Sequence, residues 1–208
     1  MISSREFPRQ NNVMANPRRL VLASTSRYRK ELLQRLGIAF ETAAPLADER
    51  ALGGEAAADT ALRLAQLKAQ SVRGAHRDAL IIGSDQVATS AGRILNKPGN
   101  HASAVQQLRS VSGKSAEFHT AVVLLDAANG TVQSRVVPCR VFFRQMDDKR
   151  IDGYLQREKP YDCAGSAKVE GLGIALISRI ETDDPTALIG LPLIALTEML
   201  ERAGLPVV

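Results

Sequence analysis

Short apolar runs alternate along this chain with segments whose apolar residues recur every three or four positions. The run RRLVLAS predicts a short buried strand that breaks at Ser24-Thr25-Ser26. RYRKELLQRLG follows as a helix with Leu32, Leu33 and Leu36 on one side, Ser26 as N-cap and Gly37 as the stop. IAFETAAP is a second strand candidate, ahead of the acidic turn Ala47-Asp48-Glu49. AAADTALRLAQLKAQSVRG predicts a helix whose apolar face holds Leu64, Leu67 and the alanines. DALIIGSDQVAT predicts a buried strand whose apolar part stops at Gly83, GRILNKPG a short strand and turn, and ASAVQQLRSVSG a helix ending at Gly113.

From Ala116 the pattern changes. EFHTAVVLLDAANGTVQSRVVPCRVFFRQ contains three strand-like runs, with Asn129-Gly130 as a hairpin signal. DDKRIDGYLQRE returns to a helix capped by Asp147 or Asp148, GLGIALISRIE to a strand, and LPLIALTEMLERAG to a terminal helix opened by Leu191-Pro192. The sum is a mixed α/β fold with two lobes around a cleft. A flexible tail is expected over residues 1–16 and a single domain over 17–208.

Composition narrows the class. The chain has 208 residues, 45% hydrophobic and 24% charged, enough for one domain with a real core. No apolar run approaches the roughly 20 residues that span a bilayer, and the polar start lacks a signal-peptide core. Cys139 and Cys163 have no metal-like spacing and read as packing thiols, although Cys163 falls in a segment implicated below. A reduced, cytoplasmic protein without a membrane partner follows. The net charge of +5 suits an anionic partner. It is spread along the chain without a Lys/Arg block, zinc spacing or aromatic RNA-binding signature, which points to a small phosphorylated ligand and away from nucleic acid.

Four segments carry candidate chemistry. Ser24-Thr25-Ser26 ahead of a helix offers hydroxyls and free N–H groups to an anion. Arg27, Arg29 and Lys30 in the first turn oppose the helix dipole unless an anion joins them. Asp85 follows Ile81-Ile82-Gly83-Ser84 at the expected carboxyl end of a strand, where it could accept a proton from water or hold a hard cation. Lys68 and Lys97 supply further positive charge of the kind phosphoryl transfer requires. The small residues of YDCAGSAKVEGLG allow backbone to approach a ligand closely. Each segment read alone also suits a capped helix, a turn aspartate, surface lysines or a plain loop. His76 and His101 read as surface residues and His119 as satisfied core, so none is assigned a role.

Taken in order, LVLASTSRYRKELLQRLGI, APLADE, RLAQLKAQ, LIIGSDQVA, ILNKPG, GKSAEFHTAV, YDCAGSAKVEGLGI and DDPTALIGLPLIAL resemble the Maf family of nucleotide pyrophosphatases from Arg19 to Leu200. The resemblance implies an elongated α/β fold of mixed sheets, similar to inosine triphosphatases, with a deep cleft between two lobes; the family is often homodimeric. It implies hydrolysis of a nucleoside triphosphate between the α- and β-phosphates with a divalent metal cation, Mg²⁺ or Mn²⁺. By position, Asp85 matches the proton acceptor, Ser24, Arg29, Lys68 and Lys97 the phosphate site, and Glu49 a metal ligand; Asp85 as metal ligand stays open. Tyr28, Gln86 and Glu170 match positions associated with substrate choice and resemble members acting on 7-methyl-GTP. N7-methylation makes guanine cationic, which favours an aromatic face, and a carboxylate can accept from guanine N1–H and N2–H. Arg27 stands where the family usually has proline, Tyr28 where this subgroup usually has tryptophan, and Asn96 where glycine is common. Another nucleotide substrate, UTP or dTTP or a modified base, and a non-catalytic nucleotide-sensing role in septum inhibition are the alternatives.

Overall fold

A seven-stranded mixed sheet runs through the computed structural model, which describes residues 18–50 and 52–208. The tail expected over 1–16 lies outside the described residues. In chain order the elements are β1 (Leu20–Ala23), α1 (Arg27–Gln34), β2 (Glu41–Ala43), α2 (Ala57–Val72), β3 (Leu80–Ser90), β4 (Arg93–Ile94), α3 (His101–Val111), β5 (Ser115–Asp126), β6 (Val132–Phe143), α4 (Asp148–Glu158), β7 (Ile177–Glu181) and α5 (Leu193–Arg202). The sheet order is β2-β1-β3-β5-β6-β7, with β4 paired to the end of β3. β1 runs parallel to both its neighbours, and β3, β5, β6 and β7 pair antiparallel.

Local chemistry explains most boundaries. Ser26, Asn100 and Asp147 accept backbone N–H bonds from the third residue beyond them and cap α1, α3 and α4. Asn129-Gly130 makes the tight β5–β6 connection, with Gly130 at φ +80° and its N–H donated to Asp126 O.

Several expected boundaries move. The three runs after Ala116 fold as two twelve-residue strands, because Pro138 does not interrupt β6. The Pro138 carbonyl accepts from Thr182 Oγ1, so its missing N–H lies on the outer side and the ladder to β5 is unaffected. IAFETAAP contributes only three paired residues, alongside the short β1. In GLGIALISRIE, Leu172–Leu176 curls into a 3₁₀-helix, with Gly173 folded back on the Lys168 backbone, and pairing begins at Ile177. Asp85 is mid-strand and not at a strand end, because β3 continues to Ser90.

The alternating faces of β3, β5 and β6 divide the apolar residues into three clusters. Leu20, Leu22, Leu80, Ile82, Val122 and Leu124 pack against α1 and α5. Val21, Ile81, Ala121 and Val123 pack on the opposite face beneath α2, through Ala61, Ala65 and Ala69. At the far end of the same long strands, Ala88, Phe118, Cys139, Val141 and Phe143 pack against α3 and α4. Burial of such side chains contributes about 1.5–3 kcal/mol each. Between the first and third clusters one face of the sheet turns polar at Ser84, Gln86 and Thr120, and the cleft lies beside this break.

Candidate functional site

β1 ends at Ala23, and β4 joins β3 only at Thr89 and Ser90, so the intervening edge of β3 has no neighbouring strand. A cleft of about 810 Å³ opens along that edge, within the usual range for small-ligand sites. Because the edge is open, side chains from both faces of β3 reach the cleft: Asp85 on the α2 side and Gln86 on the other. The cleft lining includes Ser24, Tyr28, Arg29, Glu49, Lys68, Asp85, Gln86, Lys97 and Glu170, all of the residues to which the family resemblance gave a role, whereas Lys30 lies outside it.

At the closed end Lys68 is buried, contrary to a surface reading, and its Nζ lies 2.5 Å from Asp85 Oδ1 and 3.1 Å from Glu49 Oε1. Gly83 makes this possible. A Cβ there would collide with the Ala65 carbonyl oxygen and press on Ala69, so only glycine lets α2 lie this close to β3. Glu49 reaches in from the loop before α2, which is tied to that helix by the Arg63–Glu55 ion pair and by the Leu46 N–H donated to Ser71 Oγ.

Arg29 donates its Nε to Gly190 O at 2.9 Å, which leaves its terminal amines without a partner among the described residues. Burial pulls this guanidinium below its usual range, opposed by the Asp85 and Glu49 carboxylates. Ser24 is buried beside it and accepts the Ser26 N–H at 3.1 Å, so its own hydroxyl proton remains to be donated. The Ser26 hydroxyl is instead used in capping α1.

The segment 184–194 sets one wall, a contribution that sequence reasoning did not assign. Buried Asp184 accepts from Thr186 N, Thr186 Oγ1 and Ile194 N and pins the turn. Its carbonyls then hold the site: Gly190 O takes Ser84 Oγ at 2.9 Å as well as Arg29, and Ala187 O and Leu188 O take the Gln86 amide. The Gln86 nitrogen is fully engaged, also with Thr120 Oγ1, so only its oxygen is left to face a ligand. Gly190 at φ +125° adopts a conformation rarely open to other residues.

At the open end the Tyr28 hydroxyl meets Asp162, Arg27 and Cys163. Burial, with the Cys163 contact, raises the phenol above its usual range against the pull of Arg27. Burial pushes the Cys163 thiol up to about 11 although its bond to Tyr28 offsets part of the rise. Glu170 and Lys97 are exposed on the rim and make no hydrogen bond to the other candidates among the described residues. The turn carrying Lys97 is held by Gln107 Nε2 donating to Asn96 O and by Gly99 N donating to Tyr161 O.

Fold and site together define an α/β protein that sets a buried lysine against a carboxylate, with a half-buried arginine nearby, at one end of a cleft, and an aromatic ring with acidic neighbours at the other. The chain belongs to the Maf family: the family profile, described as Maf-like protein, matches residues 19–203. A protein of Thiobacillus denitrificans named 7-methyl-GTP pyrophosphatase is 57% identical over 188 residues, covering 90% of this chain and 94% of its own. One of the same name from Cupriavidus pinatubonensis is also 57% identical with the same coverage, and one from Burkholderia pseudomallei is 54% identical over 195 residues, 92% of this chain and 90% of its own. The solved structure of the Staphylococcus aureus Ham1 protein aligns at a TM-score of 0.41 with 14% identity, covering 63% of this chain and 73% of that one. No helix among the described residues is long and apolar enough to cross a membrane.

Proposed function

We propose that this chain hydrolyses 7-methyl-GTP to 7-methyl-GMP and diphosphate. The observation that carries the reading is a single cleft with Asp85 held against buried Lys68 at its closed end and Tyr28 and Glu170 at its mouth. The relatives named for that reaction support the substrate.

Asp85 Oδ1 is engaged by Lys68, and Oδ2 has no partner among the described residues. In this reading Oδ2 takes a proton from water as the water oxygen attacks the α-phosphorus. The α–β bridging bond breaks and diphosphate leaves. Arg29, Lys68, Lys97 and the Ser24 hydroxyl hold the phosphate oxygens, whose charge spreads as the bond breaks. Tyr28 supplies a face for the cationic purine, the Gln86 oxygen an acceptor, and Glu170 an acceptor for N1–H and N2–H.

The donor set suits Mg²⁺ or Mn²⁺. Asp85 and Glu49 already converge on one cation, the Lys68 ammonium, and both offer hard oxygen donors. Among the described residues no group of three or more metal-type side chains forms a cage, so the ion would be shared with phosphate oxygens and water. When bound it supplies charge neutralisation at the phosphates. The free thiols Cys139 and Cys163 accord with a reducing cytoplasm, and β3, β5 and β6 passing through two cores accord with one domain over 17–208.

Purified protein incubated with 7-methyl-GTP, GTP, UTP and dTTP in Mg²⁺ or Mn²⁺ tests the reading through diphosphate release. The fastest turnover is expected with 7-methyl-GTP. Release from UTP or dTTP alone overturns the substrate, and release from none overturns the enzyme.

A further inference from the structure

Tyr28 is held at the cleft mouth by its neighbour Arg27 and by two residues from the other side of the cleft. Its Oη lies 3.2 Å from each Asp162 carboxylate oxygen, 2.6 Å from Arg27 Nη2 and 3.5 Å from the Cys163 thiol that donates to it. The Arg27 guanidinium stands 4.7 Å from the Tyr28 ring centroid and 3.4 Å from Asp162. Arg27 and Tyr28 open α1, which is anchored through Leu32 and Leu33 in the cluster beneath α1 and α5. Asp162 and Cys163 sit on the loop after α4, flanked by Tyr161 and Ala164 packed on the α3–α4 cluster. These contacts therefore bridge the two apolar clusters across the cleft.

A tyrosine on a solvent-facing first turn samples several rotamers, and ordering it on binding costs affinity. A bond at the para hydroxyl removes that freedom before the ligand arrives. Arg27 covers one face of the ring, which leaves the other to a base. Charge adds a second effect: a cationic base near Arg27 is repelled unless Asp162 neutralises the guanidinium. With side-chain exposures of 64% and 53%, the Arg27–Asp162 pair adds little to fold stability, so its effect falls on recognition.

We propose that Asp162 is a positioning residue for base recognition: it latches the Tyr28 hydroxyl and neutralises Arg27 across the cleft, presetting the ring face that receives a cationic purine. The nature of the base rests on the 7-methyl-GTP reading; the latch does not.

The test is a double-mutant cycle on Asp162→Ala and Tyr28→Phe, with kcat and KM measured for 7-methyl-GTP and GTP, and with Asp162→Asn as a milder variant. Asp162→Ala raises KM for 7-methyl-GTP roughly tenfold, the weight of one charge-assisted hydrogen bond. KM for GTP rises less, kcat changes little, and the melting temperature stays put. Asp162→Asn keeps an acceptor for the hydroxyl but no charge against Arg27, so it recovers part of the loss, and more of it for GTP than for 7-methyl-GTP. The double variant loses no more than Asp162→Ala alone, because the hydroxyl–carboxylate bond is the element the two substitutions share. Additive losses, or an Asp162→Ala enzyme with unchanged KM, overturn the latch. If 7-methyl-GTP proves not to be hydrolysed, the cycle is run on the nucleotide that is. Coupling there preserves positioning and removes the cationic base from the proposal, whereas its absence overturns the latch itself.

Discussion

Opposite charges meet at both ends of the cleft, in opposite surroundings. Lys68 and Asp85 are 6% and 7% exposed and 2.5 Å apart, whereas Arg27 and Asp162 lie 3.4 Å apart in open solvent. A unit charge pair at 4 Å attracts by about 4 kcal/mol at an effective dielectric near 20 and about 1 kcal/mol in bulk water. Taking both ions out of water offsets much of the buried gain, but losing one partner then leaves the other stranded. The closed end is therefore stiff and coupled to the fold, while the open end can vary without endangering it. On the proposed reading, the chain separates chemistry from recognition by burial.

The sharpest way to break this comparison is Asp85→Asn. The amide oxygen still accepts from Lys68 but cannot act as a base, so kcat falls by about 10²–10⁴, and the melting temperature falls as well because Lys68 loses a buried counter-charge. Steady-state diphosphate release measures it, and near-wild-type turnover would remove Asp85 from the chemistry. Gly83→Ala tests the coupling of the closed end to the fold. The added Cβ drives α2 away from β3 and takes Lys68 with it. Urea unfolding is expected to show a loss of about 3 kcal/mol, and the folded fraction to turn over slowly.

Glu170→Gln belongs to the open end. Preference for 7-methyl-GTP over GTP, read as the ratio of kcat/KM values, is expected to fall about tenfold with the melting temperature unchanged. An unaltered ratio would leave Glu170 outside base recognition. The smallest effect concerns Cys163. Its thiol titrates at about 11 because of burial, so the neutral form dominates at every pH below that value and the reactive thiolate gains only as pH rises towards it. Iodoacetamide labelling followed by mass spectrometry should be slow at pH 8 and accelerate steadily up to about pH 11. Rapid labelling at neutral pH would show that the mouth is more open than the Tyr28–Cys163 contact implies.

How far the sequence could be read depends on the range of the interaction concerned. Caps, the Asn129-Gly130 hairpin and amphipathic helices follow from neighbours a few residues apart, and they were legible. The strand over DALIIGSDQVAT was legible too, but the mid-strand place of Asp85 was not, because the apolar part stops at Gly83 and Ser84-Asp85-Gln86 is held in the strand by pairing with β5. Nor could the three runs after Ala116 be joined into two strands from sequence, since whether Pro138 interrupts β6 depends on which side of the strand faces a neighbour. Site residues became legible through family motifs; no local spacing relates Lys68 to Asp85 or Tyr28 to Asp162, which are 17 and 134 residues apart. The wall made by 184–194 left only a faint mark, an aspartate-proline turn with a glycine.

By itself, then, the sequence determined where helices start, which faces are apolar and which side chains can carry charge or protons, because these depend on nearest neighbours and on residue chemistry. Only the tertiary structure decided that Lys68 is buried, that Asp85 stands mid-strand beside an open edge, that the Gln86 amide is already bonded, and that Asp162 reaches Tyr28. Burial, strand neighbours and contacts across a cleft arise from segments far apart in the chain, and they come into being only when the sheet brings those segments together.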